Sequence, residues 1–203
     1  MSSIKLTADS GGGTFEVKAP ASSGNTRVLT LPDAANGTVL TTTSPKAGNI
    51  IQVVSTTVTA ASTATMSSNG EVTLMSRTYT PTLSSSNALI QVALHLDLNG
   101  SYGGMFINLL RDSTAVARGD AAGNRRQVTM VPDLSNSTFG GNLKGFTILD
   151  TGISGTSEVT YKVNILDQSG GGGQYFFNTG RDNSDNNYIL RGVSTLTVME
   201  VAA

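Results

Sequence analysis

The sequence predicts an all-β protein, an antiparallel β-sandwich or jelly roll, and three observations lead to this class. Apolar and polar residues alternate with a period of two along short runs over most of the chain. Turn-forming Gly and Asn residues separate these runs, and no stretch shows a sustained helical period. About ten short strands at regular spacing are typical of a sandwich or jelly roll.

The individual strands are expected where β-branched and aromatic residues concentrate. Run 157–166 alternates most clearly, and run 88–98 repeats the pattern with His95 and Asp97 on its polar side. Both runs are interpreted as half-buried strands with one solvent-facing side. The other expected strands are 50–59, 71–80, 105–111, 114–118, 127–131, 146–149, 174–178 and 193–201.

The first 48 residues differ from the rest of the chain. They contain three of the five prolines and few apolar residues. So short a segment seldom closes a core of its own without a disulfide or a metal, and it offers neither. We therefore expect short β-ribbons that pack on other copies of the chain or on a docking surface. The predicted domains are residues 1–48 and residues 49–203, with the boundary placed in 41–48.

Composition argues against several classes of function. The net charge is −1, so no basic excess indicates a nucleic-acid partner. No apolar run approaches the roughly 18 residues of a membrane span, and the start lacks the pattern of a signal peptide. With no Cys and one His, thiolate zinc sites, disulfides and cysteine nucleophiles are excluded. We expect no enzymatic activity, no cofactor, no metal and no membrane insertion.

Three polar motifs resemble functional sites, and each has a plainer interpretation. His95 and Asp97 could form an acid–base pair, but no nucleophile accompanies them. The tripeptide 118–120, Arg-Gly-Asp, occurs in integrin ligands and also fits a strand end followed by a turn. Run 182–187 is rich in oxygen ligands but lacks the Gly and Glu of a calcium loop. A polar strand face, a turn and a solvated loop are preferred, and an irregular calcium site stays open.

Two glycine runs, 11–13 and 170–173, could suggest phosphate loops. Neither has the preceding strand, the following helix and the Lys that such a loop needs, so both are interpreted as hairpin turns.

The region after the second glycine run is a candidate for contact with a carbohydrate. An aromatic run, 175–177, is followed by a loop rich in Asn and Asp. Aromatic rings with polar neighbours suit sugars, which have apolar faces and hydroxyl rims. Alternatively, the rings of residues 175 and 177 face the core. The candidate contact residues are Tyr175, Arg181, Asp182, Asn183, Asp185, Asn186, Asn187 and Tyr188.

Two parts of the chain resemble structural and fibre proteins of tailed phages, notably marine and cyanobacterial ones. Residues 7–42, TADSGGGTFEVKAPASSGNTRVLTLPDAANGTVLTT, resemble a segment that recurs in those proteins. A C-terminal domain of such fibres is similar to LLRDSTAVARGDAAGNR (109–125), VTYKVNIL (159–166) and RGVSTLTVMEVA (191–202).

The resemblance implies a virion structural protein, a homotrimeric fibre or spike assembled in the cytoplasm of a bacterial host. An N-terminal stalk or attachment segment would contact other virion proteins, and a β-sandwich head would contact a host surface glycan or protein. The candidate trimer or anchor contacts are Phe15, Val17, Leu29, Leu31 and Leu40.

Two alternatives accompany the host-attaching fibre. One is a capsid decoration or head-fibre protein that binds no receptor, which the short chain favours somewhat. The other is a polysaccharide depolymerase carried on the fibre, which would need paired carboxylates, whereas Asp and Glu are sparse. Host attachment is preferred narrowly over decoration.

Overall fold

The computed structural model describes residues 3–7, 10–18, 21–22, 24, 45–99, 104–132, 142–168, 170, 172–182 and 184–203. In these ranges the chain forms twelve strands and no helix, which confirms the predicted all-β class. The chain divides into two compact units, residues 1–39 and 40–203. The predicted domain boundary in 41–48 stays a prediction.

Unit 1 contains an antiparallel hairpin of β1 (Ser3–Thr7) and β2 (Thr14–Lys18). Gly11 and Gly12 lie in the turn that connects the two strands, with φ of 84° and 68°. Residues with a side chain rarely adopt such positive values. The first glycine run therefore serves the hairpin turn that the sequence predicts.

Unit 2 consists of two antiparallel sheets. Its strands are β3 (Ile50–Val58), β4 (Ser62–Thr65), β5 (Glu71–Tyr79), β6 (Ser86–Asn99), β7 (Met105–Arg111), β8 (Thr114–Val116), β9 (Asn142–Asp150), β10 (Val159–Asp167), β11 (Gln174–Phe177) and β12 (Ser194–Ala202). One sheet has the order β5-β10-β7-β8, and the other β3-β12-β6-β11-β4 with β9 also paired to β6. The strand expected at 127–131 is wrong, since this segment contributes only a bridge between Met130 and Ile107.

The inner faces of the two sheets share one hydrophobic core. Alternate residues of β10, such as Val163 and Ile165, and alternate residues of β6, such as Ile90 and Leu94, are fully buried in it. The predicted alternation therefore places the apolar sides of these strands correctly, and the sandwich class is confirmed.

Strand β6 organises the six-stranded sheet because both of its edges are paired. One edge pairs with β9 over residues 88–96. The other edge pairs with β12 over residues 86–93 and then with β11 over residues 96–99. β11 and β12 are thus two parts of one interrupted strand path. The next path outward is interrupted in the same way, since β3 pairs with β12 and β4 with β11.

A buried carboxylate on β12 fixes the chain segment that follows β5. Glu200 is fully buried and accepts hydrogen bonds from the backbone N–H of Thr82 at 2.8 Å and of Leu83 at 3.0 Å. The Gln52 amide donates to it at 2.6 Å. Burial alone would raise the pKa of Glu200, but these hydrogen bonds outweigh it and lower the pKa to about 2.

A second buried carboxylate lies at the end of β9. Asp150 accepts a hydrogen bond from the Tyr161 hydroxyl at 2.7 Å and pairs with Arg111 at 2.7 Å. Burial, together with the bond to Asp150, raises the pKa of Tyr161. Both carboxylates therefore hold elements of the sandwich together.

Candidate functional site

A loop of residues 179–193, the 179–193 loop, leaves the sheet between β11 and β12, and most of its described residues are exposed. Because these two strands pair with the same edge of β6, the loop is the segment that interrupts their shared strand path. A bridge between Thr179 and Arg191 closes its base, and the Gly192 N–H donates to the Asn178 carbonyl at 3.1 Å. Both ends of the loop are therefore fixed to one point of the sheet.

Three polar groups at this point form what we call the clasp: the side chains of Asn178 and Ser194 and the backbone of His95. The Asn178 N–H donates to the His95 carbonyl at 2.8 Å, and the His95 N–H donates to Ser194 Oγ at 2.9 Å. Ser194 Oγ in turn donates to Asn178 Oδ1 at 2.6 Å. Both side chains are fully buried, so the clasp replaces the sheet hydrogen bonds lost at the interruption.

Asn178 also closes the interruption in the neighbouring strand path. Its Nδ2 donates to the carbonyls of Val58 at 2.8 Å and Ala60 at 3.1 Å, at the break between β3 and β4. Its φ of 57° lies in the left-handed region, which Asn adopts more readily than most residues. Through its side chain and its backbone N–H, Asn178 thus ties the end of β11 to β3, β6 and β12 beneath the loop.

His95 packs directly against the returning end of the loop. A Cβ added to Gly192 would lie 2.1 Å from His95 Cγ, so no larger residue fits there without movement of the ring. Burial lowers the pKa of His95, because it disfavours the charged imidazolium. The imidazole therefore serves as packing under the loop.

Asp97 was expected on a solvent-facing side of β6, and this expectation is wrong. Its carboxylate is fully buried, and Arg181 Nε lies 3.2 Å from Asp97 Oδ2. Arg181 also donates to the Leu98 carbonyl. The loop folds its own arginine back over the strand, which covers the carboxylate and supplies the opposite charge. Arg181 is therefore an anchor of the loop rather than a free contact residue.

In the tip of the loop, residues 182–190, the described residues other than the half-buried Ile189 are exposed. Asp182 Oδ1 accepts from the Ser184 N–H at 3.1 Å, and Asn186 Nδ2 donates to the Tyr188 hydroxyl at 2.9 Å. Of the predicted contact residues, Asp182, Asp185, Asn186, Asn187 and Tyr188 are all exposed here, and the Tyr188 ring is 51% accessible. Asn183 lies outside the described residues.

The predicted aromatic platform at the glycine run is not formed. Tyr175 is 6% exposed and packs in the core together with Phe177. Because alternate residues of β11 point inward, the alternative interpretation of these rings is confirmed, and Tyr175 is corrected from contact residue to core residue. The glycine run 170–173 is not a hairpin turn either, since it connects β10 of one sheet to β11 of the other.

The remaining motifs occupy different places. Arg118–Asp120 is exposed, and the Gly119 N–H donates to the Val128 carbonyl at 3.2 Å, which ties this segment to a residue nine positions later. Of the candidate trimer contacts, Val17 is 50% exposed on β2. The Phe15 side chain, Leu29, Leu31 and Leu40 lie outside the described residues.

Two kinds of site are absent from the described part of the chain. Its His, Asp and Glu residues form no group of three or more that could hold a metal ion. Its elements include no helix long and apolar enough to span a membrane.

Comparison with known proteins found structural neighbours only. No family model matches the sequence. No curated protein matches it either. The VP2 subviral particle of infectious bursal disease virus is similar at 16% identity and a TM-score of 0.37, over 75% of this chain and 38% of that chain. The structure of the Gx strain of the same virus is similar at 16% identity and a TM-score of 0.37, over 94% of this chain and 46% of that chain.

Both neighbours are viral, and this chain spans less than half the length of either. At this TM-score the similarity carries no argument about function. Neither neighbour comes from a tailed phage, so the resemblance to fibre proteins rests on the sequence segments alone.

Proposed function

We propose that this chain is a virion structural protein of a tailed phage, a homotrimeric fibre or spike whose β-sandwich contacts the host surface. The observation that carries the proposal is the construction of the 179–193 loop. Its polar tip is exposed, while its base is fixed by the buried clasp and by the pair of Arg181 with Asp97. Loops placed by a rigid scaffold in this way are the usual location of binding residues.

The virion assignment draws on the segments that resemble tailed-phage fibre proteins, 7–42 and 109–125 among them. The sandwich architecture is compatible with that resemblance, because it supplies a head that presents loops at its ends.

The N-terminal hairpin supports the oligomeric part of the proposal. Ile4 lies opposite Val17, and Leu6 shares their side of the hairpin, so three exposed apolar side chains form one face. A two-stranded hairpin is marginally stable by itself in water. Three copies around a closed axis would bury this face and leave no open edge for further strand addition. Other virion proteins would then bind the same segment.

The proposed role is non-enzymatic, and the structural use of the buried carboxylates supports this. Asp97 holds the 179–193 loop, Asp150 holds Arg111 and Tyr161, and Glu200 holds the segment after β5. These three buried carboxylates are therefore all engaged in fixing a loop or strand.

The test of attachment is competition between the purified chain and virus particles for adsorption to host cells. Wild-type chain is expected to block adsorption, and the double variant Asn187→Ala/Tyr188→Ala to lose that ability. The matched control is Thr156→Ala/Ser157→Ala in another exposed loop, which should block like the wild type. Equal blocking by all three proteins would contradict the role of the tip.

Two further measurements test the oligomeric state of the chain and its position on the virus particle. Sedimentation equilibrium is expected to give three times the 20.9 kDa chain mass, and a monomer at all concentrations would refute the trimer. Gold-labelled antibody should mark thin tail appendages of the particle. Label spread over the head would instead select the decoration function.

A further inference from the structure

We propose that the outer face of the four-stranded sheet carries a binding pocket for an acidic carbohydrate. A pocket of about 310 Å³ lies there, lined by Arg118, Arg125 and Arg126 together with Phe106 and Leu166. Its volume is at the lower end of the range of small-ligand sites, about 300–1,000 Å³, and suits one or two sugar rings.

The charge of the pocket points to an anionic ligand. The chain has eight arginines, and three of them fall within residues 118–126. Arg111 and Arg181 are each paired with a buried aspartate. By contrast, Arg118, Arg125 and Arg126 form no ion pair with any residue in the described ranges. A bound carboxylate or sulfate would relieve the repulsion among these guanidinium groups and accept paired hydrogen bonds from them.

The apolar part of the pocket favours a sugar over a free ion. Phe106 stands between the core residues Met105 and Ile107, so its ring points to the opposite, outer face of the sheet. Leu166 of β10 lies directly opposite Phe106 in the strand register. Phe106 is only 7% exposed, so the half-buried Leu166 supplies most of the apolar surface on which the face of a pyranose ring would pack.

One hydrogen-bonding group in the pocket wall awaits a donor. Gln168 Oε1 is buried and has no hydrogen-bond partner among the described residues. A buried acceptor left unpaired is costly, so a ligand hydroxyl that donates to it would gain from the contact.

The pocket is also held in shape before any ligand arrives. Gln127 Nε2 donates to the Gly119 carbonyl at 2.8 Å, next to Arg118. The Arg125 N–H donates to the Ala122 carbonyl at 3.1 Å. These bonds fix the loop that carries the arginines and reduce the entropy lost on binding.

A carbohydrate is preferred to a nucleic acid because the positive charge is confined to one compact pocket. A nucleic-acid surface would extend along several phosphates and give the chain a basic excess, whereas the net charge is −1. The pocket is separate from the 179–193 loop, and its ligand can be tested on the purified chain without reference to virions. Failure of this inference would therefore leave the proposed fibre function untouched. Failure of the fibre function would likewise leave the pocket untouched.

The experiment is isothermal titration calorimetry of the full chain with three tetrasaccharides (tetragalacturonate, a heparin tetrasaccharide and neutral maltotetraose) and with a thymidine oligonucleotide. We expect an acidic tetrasaccharide to bind with a dissociation constant below about 1 mM, and maltotetraose to bind far more weakly. The variant Arg125→Gln/Arg126→Gln should weaken acidic binding at least ~10-fold, because it removes charged hydrogen bonds. Arg125→Lys/Arg126→Lys keeps the charge but loses paired hydrogen bonding, so its affinity should fall in between.

The matched control is Lys5→Gln/Lys46→Gln, which removes the same charge from two other exposed positions. It should bind like the wild type, and circular dichroism should confirm that all variants fold. Equal weakening by the control would mean nonspecific charge attraction and overturn the pocket. Equal binding of maltotetraose, tighter binding of a thymidine oligonucleotide, or no acidic binding by the wild type would each overturn it as well.

Discussion

The base and the tip of the 179–193 loop are built from the same kinds of residue, yet they have opposite environments. Asn178 and Ser194 at the base are fully buried and hydrogen-bonded to each other. Asn186 and Asn187 at the tip are exposed, and the side-chain bond of Asn186 stays within the tip. The comparison shows that a polar residue here contributes to folding or to contact according to its burial, not its type. Substitutions at the base should therefore change stability, and substitutions at the tip should change binding alone.

The largest effect is expected at Asn178. Asn178→Ala removes the donors to Val58 and Ala60 and the acceptor of Ser194, and it places Ala at a φ of 57°. Buried groups left unpaired cost about 1–3 kcal/mol each, so we expect a loss of about 4 kcal/mol in the free energy of unfolding. Urea denaturation measures it.

The matched variant is Asn178→Gly, which suits the left-handed backbone but also lacks the amide. It should be less destabilised than Asn178→Ala by up to about 1 kcal/mol. Two variants as stable as the wild type would mean that the clasp does not hold the loop.

The next largest effect is expected at Arg181. Arg181→Met removes the cation beside the buried Asp97 carboxylate and the donor to the Leu98 carbonyl. Leaving one charge of a buried pair uncompensated typically costs about 3–5 kcal/mol, and we expect about 3 kcal/mol because Asp97 keeps the Leu98 N–H at 2.8 Å. Thermal and urea unfolding should show the loss. The double variant Arg181→Met/Asp97→Leu should recover most of it, and no recovery would contradict the assigned pairing.

The sequence predicts the sandwich better than it predicts the site, for a physical reason. Alternation in β6 and β10 places Ile90, Leu94, Val163 and Ile165 in the core, because burial of one sheet face is a local pattern of period two. The sequence also locates the exposed tip, since Asn and Asp clusters favour loops. The short β4, with its exposed Ser, Thr and Ala, carries no such pattern and is missed.

The clasp and the burial of Asp97 depend on contacts between distant residues, which period-two reasoning does not detect. Asp97 meets Arg181 across 84 positions, and Asn178 meets Val58 across 120. The one local hint is that Asn178 ends an aromatic run and Ser194 begins the next strand. Nothing local indicates that both runs pair with the same edge of β6.

The segment that follows β5 is fixed by a carboxylate instead of an amide, so its contribution to stability should depend on pH. Glu200 holds Thr82 and Leu83, and its pKa is lowered to about 2 from an ordinary 4.5. Because the folded-state pKa is the lower one, the carboxylate stabilises the fold above pH 4.5, and this is lost as pH falls toward 2. The shift corresponds to ~3 kcal/mol.

Glu200→Gln should therefore lower the free energy of unfolding by about 2 kcal/mol at pH 7, since the amide keeps part of the hydrogen bonding. The difference from the wild type should shrink between pH 5 and pH 3. Glu158→Gln, at an exposed position, is the control and should differ little at either pH. A difference in the free energy of unfolding that stays constant at all pH values would show that ionisation of Glu200 does not stabilise the segment after β5.

The smallest effect on stability is expected at the tip, where the comparison predicts binding without folding. Tyr188→Ala removes a ring that is 51% exposed and the acceptor of Asn186 Nδ2. Surface substitutions of this kind usually change stability by less than about 0.5 kcal/mol. Urea denaturation should therefore give the wild-type midpoint, while the ability of the chain to block adsorption of virus particles to host cells should fall. A clear loss of stability would place Tyr188 with the base of the loop, and the boundary between the fixed base and the contacting tip would have to move beyond residue 188.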